Sequence, residues 1–370
     1  MLIRGGVEAS IYGLSVELAK DNELKVFDIP RFSNTVDTIE NLNNFQVYRF
    51  YSPYNRNIFT LTRIITFLKL IKEIKPDICH LHNSSFFTLV LFVLLRVNRI
   101  KTIVTVHGLL HIEKANIFRK NKSLINLLKY VQQSLTEFML LDLMSVVIVD
   151  TQYVSDEIDK YKRGFKIFRK PICKIIPQGI NPVFFQIKRK DIEKSKLLSV
   201  GAISRRKGHV VLIESIRLLK DRGIDVNLVI IGVKSETNYF NLLIQKIEEY
   251  NLQSHVSVLT DLPFEEIISH YADSEIFVLH TQEESQGIVF CEAMAVGLPI
   301  VSTRVGGVPW VVENNVNGLL CDFGNYEQFA DNILIALNES RRFTQNNIQK
   351  AFNYDWMLIG NEILSVYQLL

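Results

Sequence analysis

Short runs of apolar and β-branched residues alternate along the chain with longer stretches whose apolar positions recur every three or four residues. This is the pattern of parallel strands joined by helices. Residues 77–82, 101–106 and 145–149 read as three strands, the last followed by a turn and a helix from about Ser155. Between Pro171 and Pro182 two prolines and a Gly-Ile-Asn turn interrupt the periodicity, which predicts a domain boundary there. The alternation then restarts, with strands expected at 196–200, 226–231, 256–259, 275–279 and 298–303 and helices at 209–219, 241–250 and 288–297. Gly297 followed by Pro299 supplies the left-handed cap and hard stop that end a helix. Open parallel sheets bind ligands at the carboxyl ends of their strands. The pattern therefore predicts an α/β protein of two domains with a cleft between them, and it leaves the chemistry open.

Length agrees with that count, since 370 residues at roughly 150 per domain make two. A composition of 48% hydrophobic and 22% charged residues excludes a disordered chain. No apolar run approaches the roughly 18–20 residues of a membrane helix, and the longest, from Phe86 to Leu95, is closed by Arg96. Cys79, Cys173, Cys291 and Cys321 lie far apart without ligand spacing, which argues against both a zinc site and a disulfide scaffold. Met1 to Gly6 lacks a basic stretch followed by an apolar one, so a cytoplasmic setting is expected.

Charge is distributed unevenly. Through Ile180 there are 25 Lys and Arg against 16 Asp and Glu, and beyond it 17 against 23. An anionic partner is therefore expected for the first half. Nucleic acid is set aside, because zinc-finger spacing, an RNP-like strand and a basic heptad helix are all absent. The alternative is an anionic membrane surface. Lys114, Arg119, Lys120, Lys122 and Lys129 interleave with Ile117, Phe118, Leu124, Ile125, Leu127 and Leu128, a basic amphipathic segment that can lie in a lipid interface. The same segment reads equally as a solvated helix packed on its own domain.

Candidate chemistry gathers in a few stretches. Glu284 and Glu292 bracket a strand-to-helix turn, with Gln286, Gly287 and Ile288 at the helix N-terminus, whose unpaired N–H groups suit a phosphate. Taken alone this is also an ordinary turn with acidic residues favoured by the helix dipole. Arg205, Arg206 and Lys207 follow another strand and could neutralise a diphosphate, or form a solvated basic turn. His107 and Gly108 stand at the end of a strand, where an imidazole could meet a substrate oxygen or simply pack. His80 and His82 share one face of another strand, His82 nearer its carboxyl end. No metal-ligand set is visible, so no catalytic metal is expected.

In order along the chain, these features resemble the retaining glycosyltransferases of family 4 (group 1 glycosyltransferases), which have the GT-B fold. The matching pieces are Gly5-Gly6-Val7-Glu8, His107-Gly108, Ile176-Pro-Gln-Gly-Ile-Asn181, Val200-Gly-Ala-Ile-Ser-Arg-Arg-Lys-Gly208 and Tyr354-Asp-Trp356. Most specific is Glu284-(seven residues)-Glu292, continuing through Ala293-Met-Ala-Val-Gly-Leu-Pro-Ile-Val301 to Gly306-Gly307. The resemblance implies two Rossmann-like domains facing across a cleft, 1–180 for the acceptor and 181–352 for a nucleotide sugar, with 353–370 a helix returning to the first. It implies a UDP- or GDP-linked donor and a lipid-linked or polysaccharide acceptor, as in lipopolysaccharide synthesis, at the cytoplasmic face of the plasma membrane.

By the same resemblance, Lys207 with Arg205 or Arg206, Gly287, Ile288 and Gly6 would meet the diphosphate. Glu292 would hold the ribose, and Glu284 and His107 would contact the transferred sugar, with no metal or other cofactor. A silent nucleotide-sugar-binding scaffold and a nucleotide-sugar epimerase are the alternatives. Three departures from the family pattern stand out. Ala202 replaces the usual Arg, and Glu284-Ser-Gln-Gly287 replaces Glu-Gly-Phe-Gly. Only Met1 to Arg4 precede the glycine pair. The last predicts that the first, normally central, strand is missing and that the chain begins late.

Overall fold

The computed structural model describes residues 6–28, 38–42, 44–49, 61–163, 171–189 and 194–370. The chain divides into two units, Met1–Pro177 with Trp356–Leu370, and Gln178–Asp355. The sequence reading put its divisions at 180 and 352. At the point where the chain enters and leaves the second unit, Ile180 N–H donates to Tyr354 O at 3.0 Å, tying the two crossing segments side by side.

In the first unit, helix α1 (Gly6–Leu18) leads to β1 (Leu24–Asp28), β2 (Thr38–Leu42), β3 (Phe45–Arg49) and α2 (Leu61–Ile74). Next come β4 (Ile78–His82), α3 (Phe86–Val97), β5 (Lys101–Val106), α4 (Leu110–Lys120), α5 (Leu124–Leu143), β6 (Val146–Val149), α6 (Gln152–Arg163) and β7 (Ile172–Ile175). The strands described here form two sheets. β1 pairs parallel and β2 antiparallel with the middle strand β3, and β4-β5-β6-β7 is a parallel sheet in chain order. Residues 1–5, to which the expectation of a missing first strand refers, lie outside the described residues.

The basic stretch from Lys114 to Lys129, read in the sequence as one amphipathic segment, is instead divided between two helices. Ser123 caps α5 by accepting the Asn126 N–H at 3.2 Å, and the Asn126 side chain donates to Asn121 O at 3.0 Å. The Ser123 bond satisfies an open N–H group of the new helix, which is how a helix starts in the middle of a polar run.

The second unit runs α7 (Val183–Gln186), β8 (Lys196–Val200), α8 (His209–Asp221), β9 (Asn227–Ile231), α9 (Thr237–Glu249), β10 (Val256–Leu259) and α10 (Phe264–Asp273). It continues with β11 (Ile276–Leu279), α11 (Ile288–Val296), β12 (Ile300–Thr303), α12 (Val308–Val311), β13 (Gly318–Cys321), α13 (Tyr326–Asn338) and α14 (Ser340–Ala351). Its parallel sheet has the order β10-β9-β8-β11-β12-β13. Alternate residues feed two separate cores. Leu197, Leu228, Ile230, Ile276 and Val278 pack on one face, and Leu198, Val229, Ile231, Phe277 and Leu279 on the other. A sheet covered on both faces has strands that are apolar throughout, which is why these runs were visible in the sequence.

The chain then returns to the first unit with α15 (Trp356–Tyr367), as expected of the last helix. Trp356, Ile359 and Ile363 join Leu14 and Leu18 of α1 and Ile103 and Ile148 of the sheet in one buried cluster. A Cβ on Gly13 of α1 would stand 2.2 Å from Trp356 Nε1, so the two helices touch at a position that only glycine fits. Gly13→Ala should therefore lower the melting temperature, because overpacking costs about 1–3 kcal/mol. Gly13→Ala combined with Trp356→Phe should recover part of that loss. A thermal melt of the three variants checks both, and a Gly13→Ala variant as stable as the parent would mean that α15 does not dock on α1 in this way.

Candidate functional site

In a parallel sheet whose strand order reverses, the loops after the two strands at the reversal point in opposite directions and leave a crevice between them. In the second unit those strands are β8 and β11. The loop after β8 ends in a tight turn, Arg205–Lys207, closed by Gly208 at φ 64°. A Cβ on Gly208 would lie 1.8 Å from His280 O, so only glycine lets this loop rest on the end of β11. The two loops are then stitched together. Gln282 N–H donates to Arg206 O at 2.7 Å, Thr281 Oγ1 donates to the same oxygen at 3.1 Å, and Arg206 Nη1 donates to Glu283 O at 2.7 Å.

That stitching brings Lys207 and Glu284 together. Lys207 Nζ donates to Glu284 Oε1 in a buried ion pair, and Arg206 Nη1 lies 3.3 Å from the same oxygen. Burial pushes the Lys207 pKa down against the pull of Glu284. For Glu284, burial acts to raise the pKa, but Lys207 and Arg206 outweigh it and hold the carboxyl below its ordinary value. Arg205 stands apart from this cluster. Its guanidinium lies 5.7 Å over the Tyr239 ring and 3.8 Å from Glu236. Of the two arginines the sequence left open, the structure puts Arg206 beside Lys207.

Gly287, at φ 80°, precedes α11, and Ile288 is the first residue of that helix. No side chain caps this N-terminus, whose N–H groups and positive dipole end are suited to an anion. One turn further, Glu292 accepts a hydrogen bond from Tyr271 OH at 2.8 Å. Burial raises the Glu292 pKa to about 7, with the Tyr271 hydrogen bond opposing it. The departure at Gln286 also has a structural role. Its side-chain amide accepts from Gln178 N–H at 2.7 Å and donates to Gln178 O at 2.9 Å, a two-pronged clamp on the Ile176–Asn181 segment.

The first unit holds the remaining candidates. His107 follows β5 and is buried, with Nδ1 at 3.2 Å from both Asp150 carboxylate oxygens and Nε2 at 3.0 Å from His82 Nδ1. Gly6 is the first residue of α1 and is exposed, while Gly5 lies outside the described residues.

Two residues of these clusters escaped the sequence reading. Asp150 directly follows β6 as His107 follows the neighbouring β5, so matching positions at adjacent strand ends was the available signal. Tyr271 is an apolar-face residue of α10 with no signal of its own, and its partner lies 21 residues away.

Known proteins agree with this architecture. The model for glycosyl transferases group 1 matches residues 181–353, and the model for glycosyltransferase family 4 matches residues 4–183. The spore coat protein SA of Bacillus subtilis is 32% identical over 47% of this chain and 49% of its own. The amylovoran biosynthesis glycosyltransferase AmsK of Erwinia amylovora is 33% identical over 44% of this chain and 40% of its own. The chain thus spans half or less of the length of these curated relatives.

Among solved structures, sucrose-phosphate synthase from Thermosynechococcus elongatus superposes with a TM-score of 0.80 at 20% identity, covering 99% of this chain and 93% of that one. Anabaena HepE in complex with UDP-glucose gives 0.66 at 20% identity, covering 83% and 82%. The fold is that of GT-B proteins. With the two models meeting at the unit boundary and the Glu284–Glu292 turn seated at the strand reversal, the chain belongs to the group 1 glycosyltransferases of the family 4 type.

Proposed function

We propose that this chain transfers a sugar from a nucleotide-diphosphate donor to a lipid-linked or polysaccharide acceptor, with retention of anomeric configuration and without a metal. One observation carries the reading: two cations, a buried carboxylate and an uncapped helix N-terminus converge where the sheet of the second unit reverses. A leaving nucleoside diphosphate gains negative charge in the transition state, and Arg206, Lys207 and the first turn of α11 are the groups that would stabilise it. With the donor bound, Lys207 exchanges Glu284 for a phosphate oxygen, which frees the Glu284 carboxylate to accept hydrogen bonds from sugar hydroxyls. Glu292 accepts the ribose hydroxyls. UDP-glucose as the ligand of Anabaena HepE supports a UDP donor, and the amylovoran role of AmsK supports a polysaccharide acceptor.

The acceptor half of the proposal places the first unit on the cytoplasmic face of an anionic membrane. Among the described residues no helix is long and apolar enough to cross one. α5, however, exposes Leu124, Leu128, Val131, Leu135, Met139 and Leu143 at intervals of three or four residues along its whole length. Such spacing keeps the six on one side of a helix about 30 Å long. Lys122 and Lys129 are exposed at the end of the stripe nearest the basic segment. An apolar stripe with lysines beside it suits a lipid interface whose head groups are acidic.

Two measurements test these halves. A thermal shift with UDP, GDP and ADP should show stabilisation by one nucleotide, lost in Lys207→Ala and Glu292→Ala. Because the Glu292 pKa lies near 7 and only the carboxylate accepts from both ribose hydroxyls, affinity should rise about tenfold from pH 6 to pH 8. Glu292→Gln should flatten that rise. No shift from any nucleotide would end the donor reading, and binding without transfer would favour a silent scaffold.

For the membrane half, Leu128→Ser with Leu135→Ser should weaken flotation with phosphatidylglycerol vesicles by about tenfold or more, given roughly 1.5–3 kcal/mol for each buried leucine. Lys122→Glu with Lys129→Glu should do the same in low salt only. Unchanged flotation in both would exclude α5 as the docking surface.

A further inference from the structure

The turn from Glu284 to Gly287 departs from the family pattern, and its Gln286 has a partner made for it. Gln286 is fully buried, yet both of its amide hydrogens and its oxygen are bonded within the second unit. The contacts fix the orientation of the amide, because a peptide N–H can meet only its oxygen and a carbonyl only its nitrogen. Gln178 N–H donates to Gln286 Oε1 at 2.7 Å, and Gln286 Nε2 donates to Gln178 O at 2.9 Å. The second Nε2 hydrogen goes to Cys291 Sγ at 3.4 Å. Burial pushes the Cys291 thiol up to about 12, so the sulfur stays uncharged.

These bonds close a ring. Cys291 also hydrogen-bonds Tyr354, and Tyr354 O accepts from Ile180 N–H at 3.0 Å, two residues beyond Gln178. Gln178 opens the second unit, and Tyr354 lies one residue from its end. The ring therefore joins the segments by which the chain enters and leaves this unit to the candidate site. At the other end of the turn, Gly307 N–H donates to Glu284 O at 2.7 Å. A Cβ on Gly287 would stand 3.6 Å from Glu284 Cγ, so the residue after Gln286 lies against the Glu284 side chain and leads into α11.

We propose that Gln286 is a positioning residue of the donor site, acting through Gly287 and Ile288, and that a bound diphosphate in turn tightens its clamp on Gln178. This role rests on the nucleotide-sugar reading and gives a part to a residue that the family resemblance leaves without one. A helix N-terminus holds an anion best when its N–H groups are already aimed, and two bonds to one buried peptide restrict the turn that carries them. Linkage makes the effect reciprocal: a clamp that favours the diphosphate is favoured by it to the same extent. A clamp that served the fold alone would be equally tight with and without ligand. An apolar side chain at 286 would leave the Gln178 N–H and carbonyl buried without these partners.

Hydrogen exchange of the whole chain, resolved to single amides by fragment mass spectrometry, reads the clamp at Gln178. The ligand is whichever of UDP, GDP and ADP registers a thermal shift. Binding slows every amide that exchanges through global unfolding, so Leu228, whose N–H donates to His255 O in the sheet, is the reference. At saturation, exchange at Gln178 should slow about fivefold or more relative to Leu228. Gln286→Met, which keeps the length of the side chain and loses its hydrogen bonds, should speed Gln178 relative to Leu228. It should also weaken nucleotide binding by about the same factor and abolish the ligand-induced slowing. The parent measurement needs no substitution, so it decides the matter even where Gln286→Met fails to fold. A nucleotide that binds but leaves Gln178 unchanged relative to Leu228 would overturn the positioning role and leave the donor reading intact, as would a Gln286→Met chain that binds as tightly as the parent. Failure of all three nucleotides to bind the parent would overturn both.

Discussion

The buried ion pair between Lys207 and Glu284 sets the demands that the second unit meets. Taking an ammonium and a carboxylate out of water costs several kcal/mol for each ion, and their attraction repays it only where the geometry is close and the remaining atoms are bonded. The two residues lie 77 positions apart in the chain, on loops that follow different strands. Bringing them together requires the β8 loop to lie on the end of β11, which Gly208 permits. It also requires Glu284 to be held from behind, where Gly307 N–H donates to its carbonyl at 2.7 Å. Since apolar residues of similar volume often hold such contacts as well, the pair fits the ligand role proposed for it better than a contribution to stability.

Strand ends organise both units, but with opposite electrostatics. In the second unit the strand-end side chains are ionised and compensate one another. In the first, His82 and His80 are kept neutral by burial, and a single carboxylate, Asp150, lies beside His107.

Much of this was legible in the sequence because the information was local. Strands β5 and β8 coincide with apolar runs that parallel sheets bury on both faces, and Gly297 ends α11 in the left-handed conformation its position required. The Glu284–Glu292 spacing could be read because both residues belong to one turn. What escaped was non-local or mixed in character. Strand β2 (Thr38-Ile-Glu-Asn-Leu42) alternates too weakly to announce itself, and it pairs antiparallel where the other described strands pair parallel. The break before α5 depends on Ser123 and Asn126, ordinary polar residues until their hydrogen bonds are seen. Asp150 and Tyr271 acquire meaning only from partners 43 and 21 residues distant.

Ala202 leaves the charge on this loop to the residues that follow it. The Lys207 side chain runs beside Gly201, its Cε 3.4 Å from where a Cβ would stand, and its ammonium reaches Glu284. The second charge beside Glu284 is Arg206, fixed by its bond to Glu283 O. Arg206 is still about half exposed, whereas Lys207 is buried. The two cations therefore differ in what a ligand must displace: solvent around Arg206, and the Glu284 carboxylate at Lys207. On the proposed reading, a diphosphate that neutralised both would gain most from Lys207, because that charge lies where water cannot screen it, and its binding would release the Glu284 carboxylate.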